Sequence, residues 1–375
     1  MNRNILVVST FFEPRYNYME VQIADTLNNM GYNVTVLTTD RCLFGNGRIN
    51  DTHSKYNIIR INKLIRITDT VLPLVNLTQT LRDVAPSVAF LIYPGHGLSY
   101  YASRWLPITC AAISTFEDRN DKNKLSIKTK VIKRLLKKRW YKKVFLRSSV
   151  IAAATNQTTT LFRQDKRFYK LVNNKIRTIG LGYDSNTFKY DKNIRVEKEL
   201  DLKISNDCTI LITATRIVKT KPIKEWLIPI INALRKNDKL IFLLVGFSDN
   251  KYSYSIKEWI NSLDLNDRLI PVDMVDSHEL NQYYNISDYS VWFTPTISIQ
   301  QSMGTGMKVI LPERDTLDHL IIDDINGYYY KSGEHLENII LSLDKIYDRE
   351  SVLSCNKIFS YEQIIAGLIN SLNVK

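Results

Sequence analysis

The sequence predicts an α/β protein made of two doubly wound domains. At 375 residues the chain exceeds the roughly 250–300 residues at which one hydrophobic core usually stops growing. Short apolar runs alternate with amphipathic stretches, as in parallel sheets covered by helices. A polar, charged segment at 190–206 interrupts this alternation, which then resumes. We therefore place the N-terminal domain at 1–190 and the C-terminal domain at 191–357.

The apolar runs predict the strands in chain order. In the first domain they are Ile5–Val8, Asn33–Leu37, Val88–Ile92, Ala111–Ser114 and Val150–Ala153, with a helix at Val21–Met30. In the second domain they are Cys208–Ile212, Leu240–Val245, Leu269–Val272, Tyr289–Phe293 and Lys308–Leu311. Open α/β sheets bind ligands beyond the carboxyl ends of their strands, so we look for a site in the loops that follow these runs.

The positive charge is concentrated in one segment. Of a formal net charge of +13, residues 122–147 contribute twelve Lys or Arg and no Asp or Glu. Apolar residues recur among them at helical spacing, which is typical of a basic amphipathic helix on anionic lipid. A solvated helix whose apolar stripe packs on the core, and a nucleic-acid surface, are the alternatives, although no nucleic-acid-binding motif accompanies the charge. The expected membrane contacts are Lys133, Arg134, Lys137 and Lys138.

The rest of the composition predicts a cytoplasmic protein held at the inner face of a membrane. No window approaches the ~18 uncharged apolar residues of a membrane span, and no signal peptide precedes the first strand. The four cysteines lie far apart, without metal-ligand spacing, as expected for reduced thiols. The sequence therefore predicts no metal site.

Two cations follow the first strand of the second domain. Arg216 and Lys221 come directly after the run that ends near Ala214. Arginine can donate to two phosphate oxygens at once, and lysine adds a point charge. A short helix near Gln300 would direct its N-terminal amides at the same group. These residues predict a diphosphate site; the alternative is that both cations only solvate a helix N-terminus.

Five stretches, in order, resemble glycosyltransferase family 4 over nearly the whole chain. The opening strand is followed by Pro14, Tyr18 and Glu20 and then by "ADTLNNMGYNVTVLTTD", which is similar to the family's first helix and second strand. "IRTIGLGYDSNTF" is similar to the segment that closes its first domain, and "TATRIVKTK" carries the two cations at the spacing of its phosphate clamp. "QQSMGTGMKVI" and "FSYEQI" are similar to its donor-site helix and to the start of its terminal helix.

The resemblance implies the GT-B fold, in which two Rossmann-like domains face each other across a cleft and a terminal helix, here 358–375, crosses back to the first domain. It implies a retaining glycosyltransferase without metal or other cofactor. The second domain would bind a nucleotide sugar, and the first a hydroxyl of a lipid-linked or surface glycan, as in lipopolysaccharide or capsule assembly. The acceptor would attack from the front face, and the leaving diphosphate would take its proton.

The same resemblance assigns roles to individual residues. The predicted catalytic residues are Arg216, Lys221, His96, Glu117 and Asp118. The predicted donor-binding residues are Ser298, Gln300, Gln301, Gly304, Gly246 and Met274. Arg15, Tyr16, Gly182 and Asp184 are expected on the acceptor or sugar side. His96 could instead be structural, Glu117 and Asp118 could cap a helix, and Gly304 and Gly306 could be turn and packing glycines.

One departure from the family bears on the donor. The family's donor site has two glutamates eight positions apart, whereas the loop "TPTISIQQ" contains none and Gln301 takes the second position. Either the donor differs, for example a deoxythymidine diphosphate sugar without the 2′-hydroxyl, or the site is degraded, as in a non-catalytic partner subunit. A nucleotide-sugar epimerase stays open. An oxidoreductase is disfavoured because no G-x-G-x-x-G follows an early strand. The oligomeric state is left open.

Overall fold

A computed structural model describes most of the chain. The described residues are 4–14, 18–42, 48–49, 55–67, 70–106, 109–113, 138–154, 165–194, 204–205, 207–265, 267–314, 317–322, 324–344, 347–356 and 358–372. Seven predicted site residues lie outside them: Arg15, Tyr16, Glu117, Asp118, Lys133, Arg134 and Lys137.

The chain divides into two compact units. The first comprises Met1–Leu181 and Phe359–Lys375, and the second comprises Gly182–Ile358. The sequence placed the first boundary at 190. The residues after Leu181 belong to the second unit because Phe188 is buried in that unit's core. In addition, the backbone N–H of Lys189 donates to Asn281 Oδ1.

The first unit is built on a parallel seven-stranded sheet of order β3-β2-β1-β6-β7-β8-β9. Its strands are β1 (Asn4–Val8), β2 (Asn33–Thr39), β3 (Asn57–Ile61), β6 (Val88–Ile92), β7 (Thr109–Ile113), β8 (Val150–Ala153) and β9 (Ile176–Thr178), and a separate hairpin joins β4 (Leu64–Ile67) to β5 (Thr70–Pro73). The central strand β1 is fully apolar after its first residue and pairs in parallel with both β2 and β6.

Helices cover both faces of this sheet. They are α1 (Met19–Asn29), α2 (Leu77–Val84), α3 (Gly97–Ala102), α4 (Lys166–Val172), the short 3-10 helix Asn173–Lys175 and the terminal helix Tyr361–Ser371, which follows β17 (Phe359–Ser360). Residues 138–147 are also helical, and we call them the basic helix. The terminal helix starts with a capping box between Ser360 and Gln363 and buries Ile365 and Leu368 in the core beneath α1.

The second unit has a parallel six-stranded sheet of order β13-β12-β11-β14-β15-β16. Its strands are β11 (Thr209–Ala214), β12 (Leu240–Phe247), β13 (Leu269–Asp273), β14 (Tyr289–Val291), β15 (Lys308–Pro312) and β16 (Gly327–Tyr330), and the unit begins with the short strand β10 (Gly182–Tyr183). Its helices are α5 (Ile223–Lys236), α6 (Lys251–Asn261), α7 (Ser277–Ile286), α8 (Ser298–Met303), α9 (Gly333–Leu341) and α10 (Arg349–Cys355). Two buried apolar clusters cover the two faces of the sheet.

Both sheets confirm the predicted α/β class, and the predicted strand runs match observed strands within a few residues. Among the described residues, no helix is long and apolar enough to cross a membrane.

Candidate functional site

Arg216 lies just beyond the carboxyl end of β11, the strand between β12 and β14 in the second sheet. Two backbone bonds hold the chain in place there: Thr215 N–H donates to Val245 O at 2.8 Å, and Ile217 N–H donates to Gly246 O at 3.1 Å. Ile217 is fully buried, whereas the Arg216 side chain is exposed. These bonds therefore fix the backbone of Arg216 at the edge where open α/β sheets bind ligands.

Gly246, predicted to bind the donor, has a packing reason of its own. Its φ is +123°, and a Cβ placed there would lie 2.2 Å from the carbonyl oxygen of Thr215. Only glycine fits such a close approach of two backbones. This glycine thus supports the turn that carries Arg216, and direct contact with a donor stays a prediction.

Lys221 lies beside Arg216 at the start of α5. Its Nζ donates to Thr215 Oγ1 at 2.5 Å, and its carbonyl oxygen accepts from the Tyr252 hydroxyl at 3.2 Å. Burial, and then the positive charge of Arg216, lower the pKa of Lys221 to about 8. A cation pair near a helix N-terminus opposes the helix dipole, so helix capping gives no account of it. An anionic ligand would stabilise the charged form of both side chains.

The predicted donor-site helix α8 begins at Ser298 and has six residues. It is joined to the sheet by a hydrogen bond of 3.0 Å between Ser302 Oγ and Ser290 Oγ of β14. Gln300 and Gln301 are 4% and 7% exposed. Gln300 Oε1 has no hydrogen-bond partner among the described residues, so this helix presents a buried amide oxygen that a donor group could satisfy.

The packing interpretation accounts for Gly304 and Gly306. A Cβ at Gly304 would lie 2.5 Å from Cε2 of Tyr183, whose ring packs on this end of α8. Gly306 has φ +71°, and a Cβ there would lie 2.6 Å from the carbonyl oxygen of Arg349. Both glycines therefore have packing reasons within the second unit.

The remaining candidates of the second unit are spread along its chain. Met274 follows β13, is 50% exposed, and its N–H donates to Phe247 O at 2.6 Å. At the start of the unit, Asp184 accepts from the N–H of Asn186 at 3.1 Å and from the hydroxyl of Thr187 at 2.5 Å, so it stabilises a turn. Gly182 is buried in β10. The structure thus brings Met274, Gly246 and Arg216 to the carboxyl ends of neighbouring strands, while Asp184 serves the local turn.

In the first unit, His96 lies between β6 and α3. Its Nδ1 is 2.9 Å from Thr10 Oγ1, which follows β1. Its ring stacks on Tyr93 at 5.5 Å between centroids and meets the edge of Phe11 at 6.3 Å. The imidazole is therefore positioned at the carboxyl ends of two adjacent strands, and its role at the acceptor stays a prediction.

Glu20 was named in the opening motif, but sequence reasoning did not predict it as a residue of this site. It is 2% exposed in the first turn of α1, and its Oε2 accepts from the Tyr93 hydroxyl at 3.3 Å. Burial, with a smaller effect of the nearby Glu13 carboxylate, raises the pKa of Glu20 to about 7. Tyr93 has φ +55°, rare for a tyrosine, and burial raises its pKa well above the usual value. A carboxyl at the start of a helix that follows a strand was the signal available.

Comparison with known proteins identifies the architecture. No family model matches the chain, and no curated protein matches it. Among solved structures, sucrose-phosphate synthase from Thermosynechococcus elongatus is 16% identical, with a TM-score of 0.68, over 98% of this chain and 97% of that one. Anabaena Alr3699/HepE in complex with UDP is 14% identical, with a TM-score of 0.68, over 99% and 100%. The chain has the GT-B fold.

A third structure of this architecture is WaaG, a glycosyltransferase involved in lipopolysaccharide biosynthesis. It is 12% identical, with a TM-score of 0.66, and the match covers 99% of this chain and 100% of that one. At these identities the likeness shows the fold, and membership of glycosyltransferase family 4 stays a prediction. Within the described ranges, no group of three His, Cys, Asp or Glu side chains could hold a metal ion.

Proposed function

We propose that this chain is a retaining glycosyltransferase that takes a sugar from a nucleotide diphosphate donor without a metal ion. The observation that carries the proposal is the cation pair at the carboxyl end of β11, where burial and Arg216 lower the pKa of Lys221. Two cations at a partly buried strand end suit a ligand with adjacent negative charges. Structures of HepE with UDP and with UDP-glucose, which have the same fold, support this choice of ligand.

The pair would act on the leaving group. As the bond between the sugar C1 and the diphosphate oxygen breaks, negative charge grows on the diphosphate. Arg216 would donate to two of its oxygens, and Lys221, protonated in the complex, would supply a further charge. The acceptor hydroxyl would bond to C1 from the same face, and its proton would pass to the departing phosphate oxygen. Charge stabilisation by two side chains is what makes a metal dispensable in this proposal.

We assign the acceptor to the first unit. His96, positioned by Thr10 and Tyr93, offers a donor or acceptor for a sugar hydroxyl. The acceptor class we propose is a lipid-linked or surface glycan, which would place the enzyme at the cytoplasmic face of a membrane. The role of WaaG in lipopolysaccharide biosynthesis supports this acceptor class by analogy of fold.

Ligand binding and turnover together test the proposal. A thermal-shift panel of nucleoside diphosphates and sugar nucleotides should raise the melting temperature, because a ligand at 100 times its Kd stabilises the folded state by ~2.7 kcal/mol. Slow release of nucleoside diphosphate from the matching donor should accompany binding. No stabilisation by any nucleotide would reject the site. Binding without release, even with glycan acceptors present, would indicate a non-catalytic subunit, and epimerised donor would indicate an epimerase.

A further inference from the structure

The apolar stripe of the basic helix faces the protein core. Trp140 is 5% exposed, and Val144 and Phe145 are fully buried. They pack in the cluster that also contains Phe168 and Val172 of α4 and Leu98 of α3. In its described part, this helix keeps only Leu146, at its end, as an exposed large apolar side chain. A membrane contact here needs apolar groups from elsewhere.

Three large apolar side chains are exposed near the carboxyl end of the basic helix. They are Trp105 at 54%, Leu146 at 45% and Leu171 at 60%. Two hydrogen bonds join the segments that carry them. Arg147 Nη1 donates to Ser103 Oγ at 3.2 Å, and Lys175 Nζ donates to Leu146 O at 3.0 Å. The end of α3, the end of the basic helix and the residues after α4 thus meet in one place.

The surface around these residues is strongly positive. The described residues 97–106, 138–149 and 165–178 contain eleven Lys or Arg and one acid, Asp165. Lys142 Nζ already bonds that carboxylate at 2.5 Å and holds its pKa below the usual value. The basic side chains are Arg104, Lys138, Arg139, Lys142, Lys143, Arg147, Lys166, Arg167, Lys170, Lys175 and Arg177. Five of them lie in α4 or just after it, outside the segment at 122–147.

We propose that these three segments form a docking surface for an anionic lipid bilayer, in which Trp105, Leu146 and Leu171 enter the interface and the surrounding cations bind lipid headgroups. Charge complementarity favours an acidic partner. The three apolar side chains select lipid among acidic partners, because leucine gains from hydrocarbon and gains nothing from a phosphate backbone. Tryptophan is enriched at membrane interfaces because its ring is amphipathic. The proposal rests on the membrane-bound acceptor of the proposed function.

The apolar contacts are tested by flotation with vesicles of phosphatidylcholine, with and without phosphatidylserine. Trp105→Ser, Leu146→Ser and Leu171→Ser together should weaken binding to the anionic vesicles by at least about tenfold. The matched control, Ile228→Ser, Tyr254→Ser and Ile325→Ser, removes apolar groups of 45–55% exposure from the second unit and should leave binding unchanged. Equal binding of both triple variants would overturn the proposal.

The charged part is tested on α4, because this helix distinguishes the surface from the basic helix alone. Arg167→Gln with Lys170→Gln should weaken binding to the anionic vesicles by about 25-fold, at about fivefold for each charge. The control pair, Arg235→Gln with Lys251→Gln, removes the same charge from the second unit and should have no such effect. Tighter binding of wild type to RNA than to anionic vesicles would also overturn the proposal. Nucleotide-induced thermal shifts, measured without vesicles, report the donor site separately.

Discussion

The two units carry opposite kinds of ionisable group near the start of the helix that follows the first strand of each large sheet. In the second unit, Lys221 follows β11, and its burial together with the charge of Arg216 lowers its pKa to about 8. In the first unit, Glu20 is buried near the ends of β1 and β6, and this burial raises its pKa to about 7. Above pH 8 a diphosphate would favour the charged form of Lys221, whereas below pH 7 a bound proton makes Glu20 neutral. This difference supports the proposal that the charged part of the substrate binds to the second unit.

The largest expected effect comes from the backbone beneath the cation pair. Gly246→Ala should lower the free energy of unfolding by ~4 kcal/mol, because it combines a φ of +123° with a Cβ 2.2 Å from Thr215 O. Urea denaturation measures the loss, and a thermal shift reports nucleotide binding. The control is Gly367→Ala in the terminal helix, where a Cβ meets nothing within 4 Å and alanine should be neutral or stabilising. Equal stability of both variants would contradict the packing account.

The carboxyl of the first unit gives the next effect. The pKa of Glu20 rises from 4.5 to about 7 on folding, so the contribution of this group to stability is full below pH 4.5 and is lost as pH rises through 7. Glu20→Gln should therefore stabilise the protein at pH 8 by up to ~3 kcal/mol and have little effect at pH 4. Glu334→Gln, in the exposed first turn of α9, is the control and should change neither value. A pH-independent effect of Glu20→Gln would contradict the raised pKa of Glu20 and with it the difference between the two units.

The cation pair itself is expected to control turnover. Arg216→Ala or Lys221→Ala should lower the rate of sugar release or transfer by about 100-fold, because each removes a preorganised charge from the leaving group. The control Lys219→Ala removes an exposed cation two residues before Lys221 and should retain nearly full activity. A chelator should change little. Rates near wild type in both variants would exclude the pair from the mechanism. The second unit would then have no more part in leaving-group stabilisation than the first.

The smallest expected effect concerns the nucleotide. Gln301 is 7% exposed and stands where the family that the sequence resembles has a ribose-binding glutamate. Unlike a buried carboxylate, a neutral amide does not need two vicinal hydroxyls of the ribose as donors. Calorimetry should show deoxythymidine diphosphate binding about tenfold tighter than UDP or GDP, a difference of ~1.4 kcal/mol. Gln301→Glu should reverse the order. If either ribonucleotide binds wild type tenfold tighter, the deoxynucleotide hypothesis is wrong.

Edge strands show where the sequence stopped predicting the fold. Interior strands such as β1, β6 and β12 are buried along nearly their whole length, so they appear as continuous apolar runs. Of the four edge strands of the two large sheets, β13 was predicted, whereas β3, β9 and β16 were not. Their residues are largely half-exposed or exposed, so polar residues such as Asn57 and Arg177 interrupt the apolar pattern. An edge strand is defined by its one neighbour, which composition does not show.

The site divides in the same way. Arg216 and Lys221 could be placed from the sequence because their position depends only on the end of an apolar strand. The burial of Glu20 could not be predicted from the sequence. The pattern of an amphipathic helix places a glutamate in solvent, and only the tertiary packing shows that this one is covered. The pairing of Gly304 with the Tyr183 ring joins residues far apart in the chain. The apolar stripe around Trp140 showed the correct helix period, but the sequence did not show that it faces the core.

Proton uptake tests the central claim most directly. If a diphosphate binds at the pair, Lys221 must regain the proton that burial and Arg216 displace above about pH 8. Titration of wild type with a nucleoside diphosphate at pH 9, in two buffers of different ionisation enthalpy, should show uptake of nearly one proton. Lys221→Arg, which stays charged, should bind with no uptake. Equal heats in the two buffers for wild type would contradict a diphosphate site at Lys221.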